Sequence, residues 1–353
     1  MHKDLVPNQT SSISSPRHSI YLIPLAITAI TLTITMVAGY ITQKAVDTKL
    51  QDFFNRQADQ IANTYYNKLH THITILEGLR GLWNASGDFT QDSFTKYVES
   101  IDLSSIDKSG VSSYFYVPAV KRRDISSFTT TVKKQPNLPT AYSTFTIHPK
   151  SQSDIYYPAL YAVPLKGRER SIGLDFGTFP ERLAAINYAR DKNSLATTNA
   201  VTLLTTGKSG FFFLIPLYHP SQPLERTRER QEAFAGVVGA TFRSESAFEQ
   251  IFGDINPYPY LHFHIYQGDA VTDDRLLYDS NPKFNHLKPR FTATRKVSIQ
   301  DQSWTIIVES NPSYSLMDSE QQLPIIVFGS GLIATIILAV FSAYNLAKIR
   351  HSH

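Results

Sequence analysis

The chain of 353 residues has no cysteine. That excludes disulfide staples, thiol nucleophiles, thiolate zinc sites and any cysteine-based redox centre. A charge excess is also missing. The 34 Lys and Arg against 30 Asp and Glu leave a net charge of +4, and no basic block interleaves with aromatics as nucleic-acid binding requires. Catalytic signatures are scarce too: Ser209-Gly210 lacks the context of a nucleophile elbow, and Asn345 to His353 holds no nucleotide-binding glycine pattern, kinase histidine box or cyclase signature. The expectation is a non-enzyme with no cofactor, no metal and no nucleic-acid partner.

Long apolar runs are present. Ile20 to Ile41 is apolar apart from several threonines, and no charge falls between Pro324 and Ala347 within the run from Leu323 to Leu346. About 20 such residues cross a hydrocarbon core of about 30 Å. The first run exceeds the apolar core of about 7 to 15 residues in a cleaved signal peptide, so it reads as an uncleaved anchor. Lys3 and Arg17 before the first run, and Lys348 and Arg350 after the second, place both tails in the cytoplasm by the positive-inside bias. The polar, serine-rich start of the chain reads as disordered. The expected location is the cytoplasmic (inner) membrane, crossed twice, with residues 43–321 in the periplasm or extracytoplasmic space. Ser330 and Ala334 form a small-xxx-small pair suited to close helix packing.

Thr42 to Trp83 has no proline, and no glycine before Gly78. Leu50, Phe54, Ile61, Tyr65, Leu69, Ile73, Leu76 and Trp83 recur at helical steps and predict a long stalk helix with an apolar stripe. The stripe has to bury itself on the globular domain, on the same helix of a second subunit, or on each in turn, and a homodimer through the stalk is the first expectation. About 40 residues at 1.5 Å each would carry a contact roughly 60 Å from the membrane.

Beyond the stalk, Thr90 is an N-cap for a short helix through Phe94, Tyr97 and Val98. Val111 to Pro118 is extended, with Tyr114 and Tyr116 on one face and Phe115 on the other. Lys121 to Asp124 reads as a solvated helix start, Tyr142 to Ile147 as a strand, and Pro220 to Glu232 as an exposed loop. Further strands are expected at Gly236 to Phe242, Tyr260 to Gln267, Arg290 to Ser298 and Ser303 to Glu309, the last two joined as a hairpin through Gln300-Asp301-Gln302.

The centre of the chain is Tyr157 to Pro220. A strand-like run from Tyr157 to Pro164 leads through Ile172-Gly173-Leu174-Asp175-Phe176 into a helix over Phe179 to Arg190, opened by Pro180 and Glu181. Leu183, Ala185, Ile186 and Ala189 can face inward together. Asn199 to Thr206 and Phe211 to Tyr218 then run as neighbouring strands across the turn Gly207 to Gly210. A curved sheet with a helix laid across it leaves a concavity that a small molecule can fill.

Acid/base chemistry has candidates nearby in Asp154, Asp175, Glu181, His148 and His219. Asp175, just before a helix, reads instead as a turn brace. His262 and His264 sit two apart on an expected strand and point the same way, as two metal ligands do, yet the sequence identifies no third ligand beside them.

These residues resemble the CHASE family of extracytoplasmic sensor domains, which includes the hormone-binding part of plant cytokinin receptors. Leu79 to Ser86 with Phe94 and Tyr97 resembles the family's opening. Gly173-Leu174-Asp175, Pro180-Glu181-Arg182 and Ala185 to Ala189 resemble its middle, and Phe211 to Tyr218 its end.

The resemblance implies an α/β (α+β) chain in seven parts: a tail (1–19), a first transmembrane helix (20–41), a stalk helix (42–83), a membrane-distal PAS-like lobe (84–243), a membrane-proximal PAS-like lobe (244–321), a second transmembrane helix (322–346) and a tail (347–353). It implies a ligand pocket lined by Tyr114, Tyr116, Tyr161, Val163, Thr198, Leu203 and Phe213, with Asp175, Pro180 and Arg182 structural. The adenine-recognising aspartate of the plant receptors falls at Pro164, which has no side-chain acceptor.

In this family the second span usually continues into a histidine kinase, a diguanylate cyclase or a phosphodiesterase. Either this chain signals through a cytoplasmic or membrane partner, or it is a truncated form of a larger receptor. The reading is a ligand-sensing transmembrane module. The alternative is a ligand-free membrane scaffold.

Overall fold

The computed structural model describes residues 19–101, 110–135, 138–204, 207–244, 258–281, 288–300, 302–315 and 322–351. Residues 1–18 and 352–353, expected in the tails, lie outside these, as do Thr205 and Thr206, the end of an expected strand, and Asp301 of an expected hairpin turn. The chain divides into two compact units, Met1–Phe53 with Ser315–His353, and Phe54–Tyr314.

The first unit holds the start of α1 (Ser19–Ser86), an unbroken helix of 68 residues, and α6 (Leu323–His351). Both helices are long and apolar enough to cross a membrane. Threonines fit the apolar part of α1 because their hydroxyls bond back to the preceding turn, Thr28 to the Pro24 carbonyl at 2.9 Å and Thr35 to Thr31 at 2.9 Å. A Cβ on Gly331 would lie 2.5 Å from Thr35 Cγ2, so a bare glycine lets the two helices touch there. The expected small pair does not form this contact: Ser330 and Ala334 are exposed.

In the second unit the apolar stripe of α1 is buried, with Phe54, Ile61, Tyr65, Leu69, Ile73, Leu76 and Trp83 all at most 4% exposed. Next come α2 (Gln91–Ser100), β1 (Val111–Pro118), β2 (Val120–Lys121), α3 (Ile125–Lys134), β3 (Ile155–Tyr156) and β4 (Tyr161–Val163). They are followed by α4 (Pro180–Lys192), β5 (Ala196–Thr197), β6 (Val201–Thr202), β7 (Ser209–Tyr218), α5 (Thr227–Ala233) and β8 (Phe234–Arg243). The last four strands are β9 (Leu261–Gln267), β10 (Leu276–Asp279), β11 (Thr292–Ile299) and β12 (Gln302–Ser310). A six-stranded antiparallel sheet runs β4-β1-β8-β7-β5 with β6 also on β7, and a four-stranded one runs β10-β9-β12-β11.

Three expectations fail locally, the first at Asn199 to Thr206, where among the described residues only Val201–Thr202 is strand. Tyr142 to Ile147 is no strand: a 3-10 turn over Thr140–Tyr142 leads into it, and Tyr142 and Phe145 are buried at a spacing of three, a turn's period. Pro220 to Glu232 is not all loop, because α5 starts at Thr227 with the Glu229 carboxylate accepting from the Arg226 amide at 3.0 Å.

Both sheets pack on α1. On the first, Tyr114 pairs its hydroxyl with His72 Nδ1 at 2.7 Å, and the Tyr116 ring meets Trp83 at 5.8 Å and Phe89 at 5.1 Å. On the second, Trp304 meets Tyr65 at 5.6 Å, and Phe291 stacks on Phe54 at 5.5 Å. The sheets also bond to each other: Gln300 Oε1 accepts from the Leu195 amide at 2.9 Å, and Gln267 Nε2 donates to Thr197 Oγ1 at 2.9 Å.

Candidate functional site

Side chains alternate across a strand, so β1 sends Tyr114 and Tyr116 towards α1 and Phe115 to the other face. Register carries the same division across the sheet. Tyr114 lies opposite Val163 and Ala240, with Ala240 opposite Phe213, whereas Phe115 lies opposite Ala162 and Gly239. The far face of the sheet is the floor of a cavity, with Phe115, Ala162, Phe212 and Thr241 below and Leu174, Phe176, Arg182, Leu203 and Leu204 at its sides and top. The cavity volume is small, about 50 Å³, and its mouth opens to solvent.

The roof depends on the stretch from Gly173 to Arg182. Gly173 has φ +82°, and a Cβ there would sit 2.0 Å from the Thr146 carbonyl oxygen, so only glycine fits. Asp175 is fully buried. Its Oδ1 accepts from the amides of Tyr157 at 2.8 Å and Gly177 at 3.0 Å, which holds the short turn carrying Phe176. Burial raises the Asp175 pKa, and the two amides oppose that rise. Pro180 is the first residue of α4.

Arg182 follows in the first turn of α4 and is 3% exposed. Its guanidinium carbon lies 4.7 Å from the ring centre of Phe176, 4.2 Å from that of Phe179 and 5.0 Å from that of Phe212. Ring faces attract a cation at such distances. Among the described residues no carboxylate lies within ion-pair distance of Arg182. Burial pulls its pKa down to about 10, so it stays charged at neutral pH. This is a cation enclosed by rings at the edge of a cavity, with its fork of donors available to an anion.

The seven residues expected to line a pocket divide between the two faces of the sheet. Of them only Leu203 lines this cavity. Tyr114, Tyr116, Tyr161, Val163 and Phe213 take the α1 side of the sheet, where Tyr116 and Tyr161 rings lie 5.9 Å apart. Thr198 Oγ1 accepts from the Phe212 amide at 3.0 Å and so braces β7 at a cavity residue. Arg182, expected to be structural, reaches the cavity. The rings of Phe115 and Phe176 fall outside the expected lining, and the alternation of β1 is the signal available for the first.

A family model of the CHASE domain matches residues 87–278, and the chain belongs to the CHASE-domain family. It is thus an extracytoplasmic-type sensor, a ligand-sensing receptor domain flanked by two apolar helices. No curated protein matches the chain.

Several solved structures are similar. An extracellular ligand-binding receptor from Desulfohalobium retbaense is 10% identical at a TM-score of 0.43, over 72% of this chain and 39% of the receptor, so the chain spans well under half of that protein. The periplasmic sensory domain of the Campylobacter jejuni chemoreceptor Tlp1 is 14% identical at a TM-score of 0.44, over 79% of this chain and 98% of the domain. The ligand-binding domain of the Pseudomonas aeruginosa amino acid chemoreceptor PctB, solved with L-Arg, is 13% identical at a TM-score of 0.43, over 76% of this chain and 99% of the domain.

Proposed function

We infer that the chain is the sensor module of a two-pass membrane receptor and that it binds a small organic anion, a carboxylate, in the Arg182 cavity. The observation that carries this reading is a buried guanidinium with no carboxylate partner among the described residues, facing a cavity walled by Phe115, Phe176 and Phe212. An enclosed, unpaired charge is costly, and a ligand carboxylate that pairs with it favours the closed arrangement of the roof over the open one. The rings supply the apolar surface for the rest of the ligand.

In this reading the two sheets are the tandem PAS-like lobes, α1 and α6 are the membrane spans, and the sensor faces the periplasm or an equivalent extracytoplasmic space. The module performs no chemistry and passes its state to a kinase or cyclic-dinucleotide enzyme. A homodimer through α1 uses the side of the helix opposite the stripe, since the chain's own sheets take up the residues from Phe54 to Trp83.

The test is a thermal-shift screen of the full chain in lipid nanodiscs against short mono- and dicarboxylates, amino acids and inorganic phosphate, each carboxylate beside its amide. At least one carboxylate should raise the melting temperature by several degrees in the native protein but not in Arg182→Met. Silence across the panel, or an equal rise in the variant, overturns the reading.

A further inference from the structure

The four-stranded sheet carries a second cluster, unconnected with the cavity. His262 and His264 share one face of β9 because they are two residues apart. In the antiparallel register Glu309 of β12 lies directly opposite His262, and Asp279 of β10 directly opposite His264. Two imidazoles and two carboxylates thus gather on one face across three adjacent strands.

The side chains converge as well. His262 Nε2 lies 2.7 Å from Asp279 Oδ1, and His264 Nδ1 lies 3.9 Å from Asp279 Oδ2. Glu309 Oε2 lies 3.9 Å from His262 Nδ1 and 4.0 Å from His264 Nε2. One ligand atom from each of His262, His264 and Asp279 falls within 4.8 Å of the others. Ligands about 2.0 to 2.2 Å from a tetrahedral zinc lie roughly 3.3 Å from one another, so shifts of around an ångström or less would bring these atoms into place. Asp279 is already oriented, its Oδ1 accepting from the Asn281 amide at 2.9 Å.

The cluster is largely out of water, with side chains 2% exposed at His262, 14% at His264, 14% at Asp279 and 31% at Glu309. Among the described residues no lysine or arginine lies within ion-pair distance of Glu309. Glu309, partly shielded from solvent, needs positive charge beside it, and a divalent cation supplies it there.

We propose that His262, His264, Asp279 and Glu309 bind a divalent transition metal of the zinc type, which clamps β10, β9 and β12 together. Two imidazole nitrogens with carboxylate oxygens form a donor set that suits zinc and leaves calcium or magnesium disfavoured.

The test uses the full chain in detergent, its purification tag removed, stripped with chelator and then titrated with Zn2+ and separately with Co2+. The native protein should retain about one equivalent of zinc after gel filtration, melt at a higher temperature with zinc, and give the visible absorption of low-symmetry cobalt. His264→Gln and Asp279→Asn should each weaken zinc binding at least tenfold. Failure of the native protein to hold an equivalent, or retention undiminished in both variants, overturns the site, the latter outcome assigning the metal to other histidines. If circular dichroism shows that His264→Gln does not fold, Asp279→Asn decides alone.

Discussion

On the side of the six-stranded sheet turned to α1, aromatic rings fill the space: Phe211 stacks on Phe242 at 4.8 Å, Tyr116 rests on Trp83, and Trp83 Nε1 donates to the Tyr218 carbonyl at 2.7 Å. On the other side, the intervening residues of the same strands face a cavity and the Arg182 guanidinium. One-residue steps along β1 and β7 therefore separate core from site. Residue type does not distinguish the two sides, since both carry aromatics. What differs is the element packed above, a continuous helix on one side and a short, turn-built roof on the other.

The largest effect should follow from emptying the filled side. Tyr116→Ala removes a ring that touches Trp83, Phe89 and Tyr161, and should destabilise the protein by about 3 to 5 kcal/mol in chemical denaturation. Arg182→Met on the opposite side should leave stability nearly unchanged while abolishing the response to carboxylates. A ranking the other way round would erase the distinction between core and site.

The filled side should also be the source of acid sensitivity. Burial, with Lys68 one turn away adding to it, lowers the His72 pKa from 6.5 to about 4. Above pH 6.5 the ring is neutral both folded and unfolded. As pH falls from 6.5 towards 4 the unfolded chain takes up a proton that the folded one refuses, so stability drops by about 3 kcal/mol over that range. Denaturation of the native protein and His72→Gln at pH 7 and pH 4.5 should show the drop in the first and a flatter response in the second.

A smaller effect should appear at Gly239, where the Phe115 ring and the backbone of Phe213 crowd against a bare glycine. A Cβ there would lie 2.4 Å from Phe115 Cζ and 2.6 Å from the Phe213 carbonyl oxygen. Gly239→Ala should cost about 1 to 3 kcal/mol and drive the Phe115 ring into the cavity, weakening carboxylate binding in the same thermal-shift assay. Full binding in this variant would place the ligand away from Phe115.

Much of the frame was legible in the sequence. The α1 stripe and the strands at β1, β7, β8, β9, β11 and β12 follow from spacing, because each repeats one period over many residues. The site was not legible, for two physical reasons. β1 and β7 are apolar on both faces, so alternation splits their residues into two sets without marking which one meets the helix. Arg182 reads as an ordinary charged residue in a first helical turn, and only the fold of Phe176, Phe179 and Phe212 around it makes it buried. Asp279 and Glu309 stand far from His262 in sequence, and antiparallel pairing alone brings them beside it.

The hydrogen bonds between the two sheets bear on how such a molecule can move. Gln267, Gln300 and the Thr197 hydroxyl, which donates to Gln302 Oε1 at 3.2 Å, fasten β9 and β12 to β5 and its neighbours, while the Trp304 ring lies 5.4 Å from Phe211. A hinge opening between the sheets would have to break every one of these bonds at once. Sliding of both sheets together along the α1 stripe would spare these bonds but break the Tyr114–His72 and Trp83–Tyr218 bonds to the helix, so the two sheets and the buried stripe hold together as one block.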